Sequence, residues 1–69
     1  MTTDAVLAAM DLTAVMAVAQ IAQEDGVDQL SALAAFLQSS TAEKLYDDSL
    51  KLWWDGPAAV VEQYRAEGV

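Results

Sequence analysis

The chain contains no cysteine and no histidine, and only three of its 69 residues are basic. Without cysteine there can be neither a disulfide bond nor a thiolate metal site, so stability must come from apolar packing. Without histidine the chain lacks the commonest metal ligand and the only side chain that ordinarily titrates near neutral pH. Nucleic acid phosphates are bound by clusters of lysine and arginine, which three cations do not build. These absences predict a protein with no cofactor and no metal that does not bind nucleic acid directly.

Catalytic groups are equally scarce. Ser39, Ser40 and Thr41 carry hydroxyls, but no histidine is present and lysine occurs only at positions 44 and 51, so no base is evident. Asp11 is the one acid with apolar neighbours on both sides, and it has no obvious carboxylate partner for hydrolytic chemistry. We therefore expect a protein that is not an enzyme.

Apolar residues are abundant, at 55% of the chain, which is ample for one core in a domain near the lower size limit. No repeat or linker divides the chain, so residues 1–69 are predicted to form a single domain. Residues 5–22 resemble a membrane span, but Asp11, Thr13 and Gln20 interrupt them, and a charge at mid-span costs about 2.5–3.5 kcal/mol. The first residues carry no basic charge of the kind that begins a secretory signal. We expect a cytoplasmic protein that does not enter the membrane.

Capping and stop residues recur along the chain and predict an all-α fold, a compact bundle of three to four short helices. The predicted helices cover about residues 4–24, 29–38, 41–48 and 57–67. The signals are, in order, Thr3 or Asp4, Gly26, Asp28, Ser40, Asp55 and Pro57. Gly26 is expected to end the first helix with a positive φ, and Ser40 with Glu43 matches a capping box.

Two apolar stripes run along the predicted first helix. The first consists of Leu7, Met10, Ala14, Val18 and Ile21, and the second of Ala8, Leu12, Val15, Ala19 and Ala22. Together they are wider than one core contact requires, which predicts either a helix touched from two sides or one shared with a second copy. Asp11 falls within this arc, where it is either solvated or caps a new helix start at Leu12.

Inward-facing residues are also expected in the later helices. In the second helix these are Leu30, Leu33, Ala34 and Leu37, with Phe36 on the flank; in the third, Leu45 and Tyr46; in the fourth, Val60, Val61 and Tyr64.

The only two tryptophans, Trp53 and Trp54, are adjacent and precede a Gly-Pro step. Adjacent side chains diverge on a helix or a strand, so we expect one indole to be mostly buried and to anchor the last helix on the first. The other indole would face a rim or a partner. Residues 50–54 are predicted to form a loose turn or a short extended piece, with a continued helix as the alternative.

Eleven acids against three bases give a net charge of −8. Such a surface either merely keeps a protein soluble or steers the approach of a basic partner. Tryptophan is over-represented among interface hot spots. The candidate partner-binding residues are Trp53, Trp54, Asp47 and Asp48. The predicted function is a non-enzymatic protein-interaction module, with a homodimer as one form of it.

A second hypothesis is an acidic mimic of nucleic acid, a phage-type inhibitor of a nucleic-acid-binding defence protein. A mimic would spread acids over one face at phosphate-like spacing. Those acids would be Asp4, Asp25, Asp28, Asp47, Asp48 and Asp55. Its binding would weaken steeply with salt, unlike binding through an apolar interface.

Three features from Gly26 onward carry a resemblance to a known kind of protein. They are a G-V-D break after a long first helix, the run SSTAEKLYD at residues 39–47, and LWWDGP at residues 52–57 before a last helix. In these the chain resembles small uncharacterised bacterial helical domains of unknown function, some of which lie beside toxin-like genes or in mobile elements. The resemblance implies a partner-binding or antitoxin-like role and supplies no site residues.

Overall fold

The computed structural model of the protein describes residues 3–67, apart from the side chains of Thr3 and Asp48. Over that part of the chain the fold is all-α, as predicted, and contains no strand. The helices are α1 (Thr3–Asp25), α2 (Gln29–Leu37), α3 (Ser40–Leu45) and α4 (Pro57–Glu67), with 3₁₀ turns at Asp48–Leu50 and Leu52–Asp55. α1 is longer than a short bundle helix. At 1.5 Å per residue it extends about 35 Å, which accounts for the 37 Å long axis of the molecule.

The α1–α2 boundary follows the predicted signals. Gly26 has a φ of 67°, a left-handed conformation that glycine adopts without a Cβ clash, and α1 ends there. The Asp28 carboxylate caps α2 by accepting hydrogen bonds from the Ser31 amide at 2.9 Å and the Ser31 hydroxyl at 2.8 Å. At the other end of α1, Asp4 lies inside the first turn rather than at the cap. The side chain of Thr3, the other predicted cap, lies outside the described residues.

The α2–α3 junction depends on Ser39, so the predicted cap at Ser40 is wrong by one residue. The Ser39 hydroxyl donates to the Phe36 carbonyl and accepts a hydrogen bond from the Ala42 amide at 3.3 Å. One side chain therefore satisfies the end of α2 and the beginning of α3. Ser40 becomes the first residue of the helix instead of its cap.

Between α3 and α4 the chain forms two 3₁₀ turns, which agrees with the predicted turn, whereas the extended piece and the alternative of a continued helix are both wrong. α3 ends at Leu45. The Asp47 carboxylate then accepts hydrogen bonds from the amide and the hydroxyl of Ser49 and starts a turn. Lys51 separates the two 3₁₀ turns with a left-handed φ of 55°, which interrupts any longer helix.

α4 begins at Pro57, as predicted, because proline at the first helical position gives up an amide that would be unpaired anyway. Gly56 takes the cap position that was predicted for Asp55, since its carbonyl accepts from the Val60 amide at 3.3 Å. Its φ of 93° is one that side chains rarely adopt. Asp55 instead ends the second 3₁₀ turn.

The core forms where the other helices pack on α1. Its largest fully buried side chains are Phe36, Met10, Ile21, Leu45, Val60 and Thr41. Phe36, rather than a tryptophan, is therefore the main aromatic of the core, and its ring centroid lies 5.8 Å from that of Tyr64. The predicted inner face of α2 is right at Leu33, which packs against the core, and wrong at the other leucines. Ala32 and Phe36 are buried, whereas Leu30 is 76% and Leu37 56% exposed.

Only one of the two predicted stripes of α1 is covered by the rest of the described chain. The buried members of the first stripe are Met10, Ala14, Val18 and Ile21, whereas Leu7 is largely exposed. In the second stripe Leu12 is 61% and Val15 63% exposed, and only Ala22 is buried. α1 therefore packs through one side and leaves the other side open.

Candidate functional site

The segment between α3 and α4 turns one tryptophan inward and the other outward. Trp53 is partly buried and packs with Leu52 against the core, whereas Trp54 is 73% exposed. The two rings meet edge to face with centroids 5.6 Å apart, a geometry that aromatic pairs favour. The predicted divergence of the two indoles is confirmed. Trp53 is the inward indole, although it is not among the fully buried side chains.

We call residues 46–54 the tryptophan segment. Its second 3₁₀ turn is closed by a hydrogen bond from the Trp54 amide to the Lys51 carbonyl at 3.0 Å, and it lies between Lys51 and Gly56, both of which have positive φ. The Lys51 ammonium also lies 5.9 Å from the centroid of the Trp53 ring, near the outer limit of a cation–π contact. Of the two acids predicted to bind a partner, Asp47 is exposed on this segment, and the side chain of Asp48 lies outside the described residues. The segment thus presents Trp54 and one carboxylate from a constrained backbone.

Tyr46 connects the tryptophan segment to α1. Its hydroxyl donates to the Asp11 carboxylate at 2.6 Å. Partial burial, and secondarily this hydrogen bond, raises the pKa of Tyr46 to about 12. Leu45 is fully buried as predicted, but the neighbouring Tyr46 is exposed rather than inward. Asp11 does not break α1, so the solvated alternative is the correct one, and its bond to Tyr46 was not foreseen because 35 residues separate the two.

The second candidate surface lies on α1, on the side away from the core. We call it the outer face of α1 and define it by Ala5, Ala8, Leu12, Val15, Met16 and Ala19. These side chains are exposed, partly so at Ala19, and none of them is ionisable. A helix that is apolar on all sides is ordinarily covered on all sides. Here the described residues cover only the opposite side.

All three basic side chains are directed at groups of the same chain. Lys44 pairs with Glu67 at 3.0 Å. Arg65 binds Glu24 at 3.2 Å and Asp25 at 2.8 Å, which ties the end of α4 to the end of α1. The pKa of the Asp25 carboxyl is lowered by its hydrogen bonds from Arg65. The pKa of Glu24 is lowered first by the hydrogen bond from Gln20 and then by Arg65, and that of Glu67 first by the Thr41 amide and then by Lys44. Lys51 lies over Trp53. The charge that remains for a partner to meet is therefore almost entirely negative.

A surface cavity of about 500 Å³ opens near the ends of α1 and α4. It is lined by Asp25, Ala35, Gln38, Ser39, Ser40, Tyr64, Arg65 and Glu67. Its charged groups are already engaged with one another or with Lys44, and Trp53, Trp54 and Asp47 do not line it. Among the described residues no group of three acids is placed to hold a metal ion.

By length and composition α1 also passes the test for a membrane span, with a mean hydropathy of 1.9 over an 18-residue stretch within Asp4–Asp25. The core helix of a soluble protein passes the same test, and 39% of that stretch is buried inside the bundle. The hydropathy of α1 is therefore weak support for a membrane location.

No family model matches the chain, and no curated protein and no solved structure is detectably similar to it. The resemblance to small bacterial helical domains stays a prediction. The tryptophan segment and the outer face of α1 are the two surfaces of the described chain that bear on its function.

Proposed function

We propose that the protein is a non-enzymatic interaction module of the cytoplasm that binds a protein partner through the tryptophan segment and the outer face of α1. The observation that carries this proposal is Trp54, an indole that is 73% exposed on a turn closed by the hydrogen bond from its amide to the Lys51 carbonyl. The resemblance to domains found near toxin-like genes adds a regulatory, antitoxin-like role.

An exposed indole leaves a large apolar area unburied in a domain of this size. A large aromatic side chain buries roughly 150–250 Å², worth about 4–6 kcal/mol at about 25 cal/mol per Å². One core in so short a chain supplies only about 3–5 kcal/mol of net stability. A partner that covers Trp54 would recover much of this unused burial. Because the Trp54 amide is already hydrogen-bonded to the Lys51 carbonyl, binding would cost less backbone conformational entropy than ordering an open loop.

The charge distribution favours a basic protein partner. The net charge is −8, and Lys44 and Arg65 both pair with acids of their own chain. Asp47 stands exposed within the tryptophan segment. Charges arranged in this way speed the encounter with a positive surface more than they add affinity. The affinity would come from Trp54 and the apolar side chains around it.

Affinity capture from an extract of the native host tests the proposal when the parent chain is compared with Trp54→Ala. We expect at least one retained protein to bind about 30-fold more weakly to the variant, the effect of losing a hot spot of about 2 kcal/mol. Leu30→Ala is the matched control, because Leu30 is equally exposed but lies on α2. Both variants should keep the helix content of the parent. Retention that Trp54→Ala leaves unchanged would show that the segment is not a partner site.

The nucleic-acid mimic has less support from the described residues. Asp25 is bound by Arg65, Asp28 caps α2 and Asp47 accepts hydrogen bonds from Ser49, so three of the six acids it requires are engaged within the chain. Salt separates the hypotheses, since binding by a mimic would weaken steeply as salt rises, whereas binding through an indole and an apolar helix would change little.

A further inference from the structure

The central residues of the outer face of α1 form a regular seam. Ala5, Ala8, Leu12, Val15 and Ala19 are spaced alternately three and four residues apart. This is the spacing that aligns side chains along one side of a helix for packing against a second helix. The seam carries no ionisable group and is exposed along its length, partly so at Ala19. Its shape and chemistry therefore match another apolar helix.

The order of side-chain sizes in the seam is symmetric. From Ala8 through Leu12 and Val15 to Ala19 it reads small, large, large, small from either end. When a second α1 runs antiparallel, with a two-fold axis between Leu12 and Val15, each Leu12 faces a Val15 and each Ala8 faces an Ala19. The same patch then serves both copies, as a two-fold homodimer requires.

Charge selects the antiparallel orientation. A parallel pair would place Asp4 and Asp11 beside the same carboxylates of the second copy, which is unfavourable. In the antiparallel pair Asp4 is level with Gln23 of the second copy, and Asp11 is level with Met16. At that end Arg65 is already paired with Glu24 and Asp25, so Asp4 of the second copy meets no free positive charge, and the preference for the antiparallel pair rests on the separation of the two Asp11 carboxylates.

We propose that two copies of this chain pair antiparallel along the outer face of α1. The inference rests on the proposed function, because it names what covers one of the two surfaces and leaves the tryptophan segment open for the other protein. Alanines at the ends of the seam let the helices approach to about 8 Å at a crossing angle of about +20°. One helix pair is a small interface, so we expect a dissociation constant of roughly 1–100 µM.

Introduced thiols test the geometry directly, because the chain has no cysteine of its own. The double variant A8C/A19C should form a covalent dimer under mild oxidation, since residue 8 of each copy faces residue 19 of the other. Within one copy the two positions are about 16 Å apart along the helix, beyond the reach of a disulfide. The single variant A8C is the control and should remain uncross-linked. Rapid cross-linking of A8C alone would indicate a parallel pair and contradict the proposal.

Sedimentation equilibrium measures the pairing itself. Leu12→Glu places a carboxylate at the centre of the seam and should weaken association at least about 30-fold. Leu30→Glu makes the same change at an exposed leucine of α2 and should leave association unchanged. Because each copy carries a net charge of −8, association should strengthen as sodium chloride screens the repulsion. Association that weakens with salt would contradict the proposed pairing.

The two proposals fail separately. The pairing is overturned if the chain sediments as a monomer at every salt concentration and A8C/A19C gives no covalent dimer. In that case, a host protein that binds the parent but not Trp54→Ala would still support the interaction module. If the chain dimerises but no captured host protein depends on Trp54, the pairing is supported and the proposed function is wrong. A monomer that loses a host protein through Leu12→Glu assigns the outer face to that protein and overturns the pairing.

Discussion

Phe36 is the single side chain on which the packing depends most. It is fully buried and lies in a cluster to which all four helices contribute, with Tyr64 of α4 packed against its ring. Replacing a buried phenylalanine by alanine removes its transfer free energy and leaves a cavity, at a cost of about 3–5 kcal/mol. A core of this size supplies about the same total.

We therefore expect Phe36→Ala to be largely unfolded at room temperature. The free energy of unfolding of Trp54→Ala, by contrast, should lie within about 0.5 kcal/mol of that of the parent, as is usual for surface substitutions. Urea denaturation followed by far-ultraviolet circular dichroism measures both free energies of unfolding. Equal destabilisation by the two substitutions would mean that Trp54 is packed in the folded chain, contrary to its exposure here.

At the scale of elements, one carboxylate ties the end of α4 to the beginning of α3. Glu67 accepts hydrogen bonds from the Thr41 amide at 2.9 Å and from the Lys44 ammonium at 3.0 Å. The amide lies in the first turn of α3, where unpaired N–H groups favour negative charge. The bond from Thr41, followed by that from Lys44, lowers the pKa of Glu67 to about 2.

This lowered pKa predicts a pH dependence of stability with a definite sign. The folded chain holds the Glu67 carboxylate ionised below its ordinary pKa of 4.5. The stabilisation is therefore present above about pH 4.5 and is lost as the pH falls towards about 2. Glu67→Gln keeps an acceptor oxygen but not the charge. The difference in unfolding free energy between parent and variant, measured in urea at several pH values, should shrink across this window. A difference that stays constant down to pH 2 would show that the contact is not charge-dependent.

At the scale of the whole molecule, the excess of negative charge opposes compaction. The net charge is −8, and the exposed ion pairs of Arg65 contribute little on their own. Repulsion among the remaining carboxylates therefore favours the expanded chain at low ionic strength. It is screened within about 8 Å at physiological salt.

We expect sodium chloride to raise the melting temperature, where about 1 kcal/mol corresponds to about 4–8 °C in a domain of this size. Glu62→Gln removes one exposed charge of α4, so it should melt higher at low salt and respond less to added salt. The protein should be dilute enough that two copies do not associate. A melting temperature that falls with salt would mean that the ion pairs outweigh the repulsion.

The helix boundaries at Gly26, Asp28 and Pro57, and with them the all-α class, were determined by the sequence itself. Each of these signals acts on backbone groups within one helical turn. A capping carboxylate or a left-handed glycine needs no distant partner to have its effect. Where several local signals competed, as for Ser39 against Ser40, the prediction shifted by one residue.

The tertiary structure alone decided which sides of the helices face inward. α1 and α2 are apolar on nearly every side, so spacing could not choose Phe36 over Leu30, or the first stripe of α1 over Leu12 and Val15. That choice depends on how distant helices pack together. For the same reason the bond between Tyr46 and Asp11, 35 residues apart, had no local signal. The exposed faces that bear on function are the surfaces left uncovered when the helices pack together, and no short-range sequence pattern predicts them.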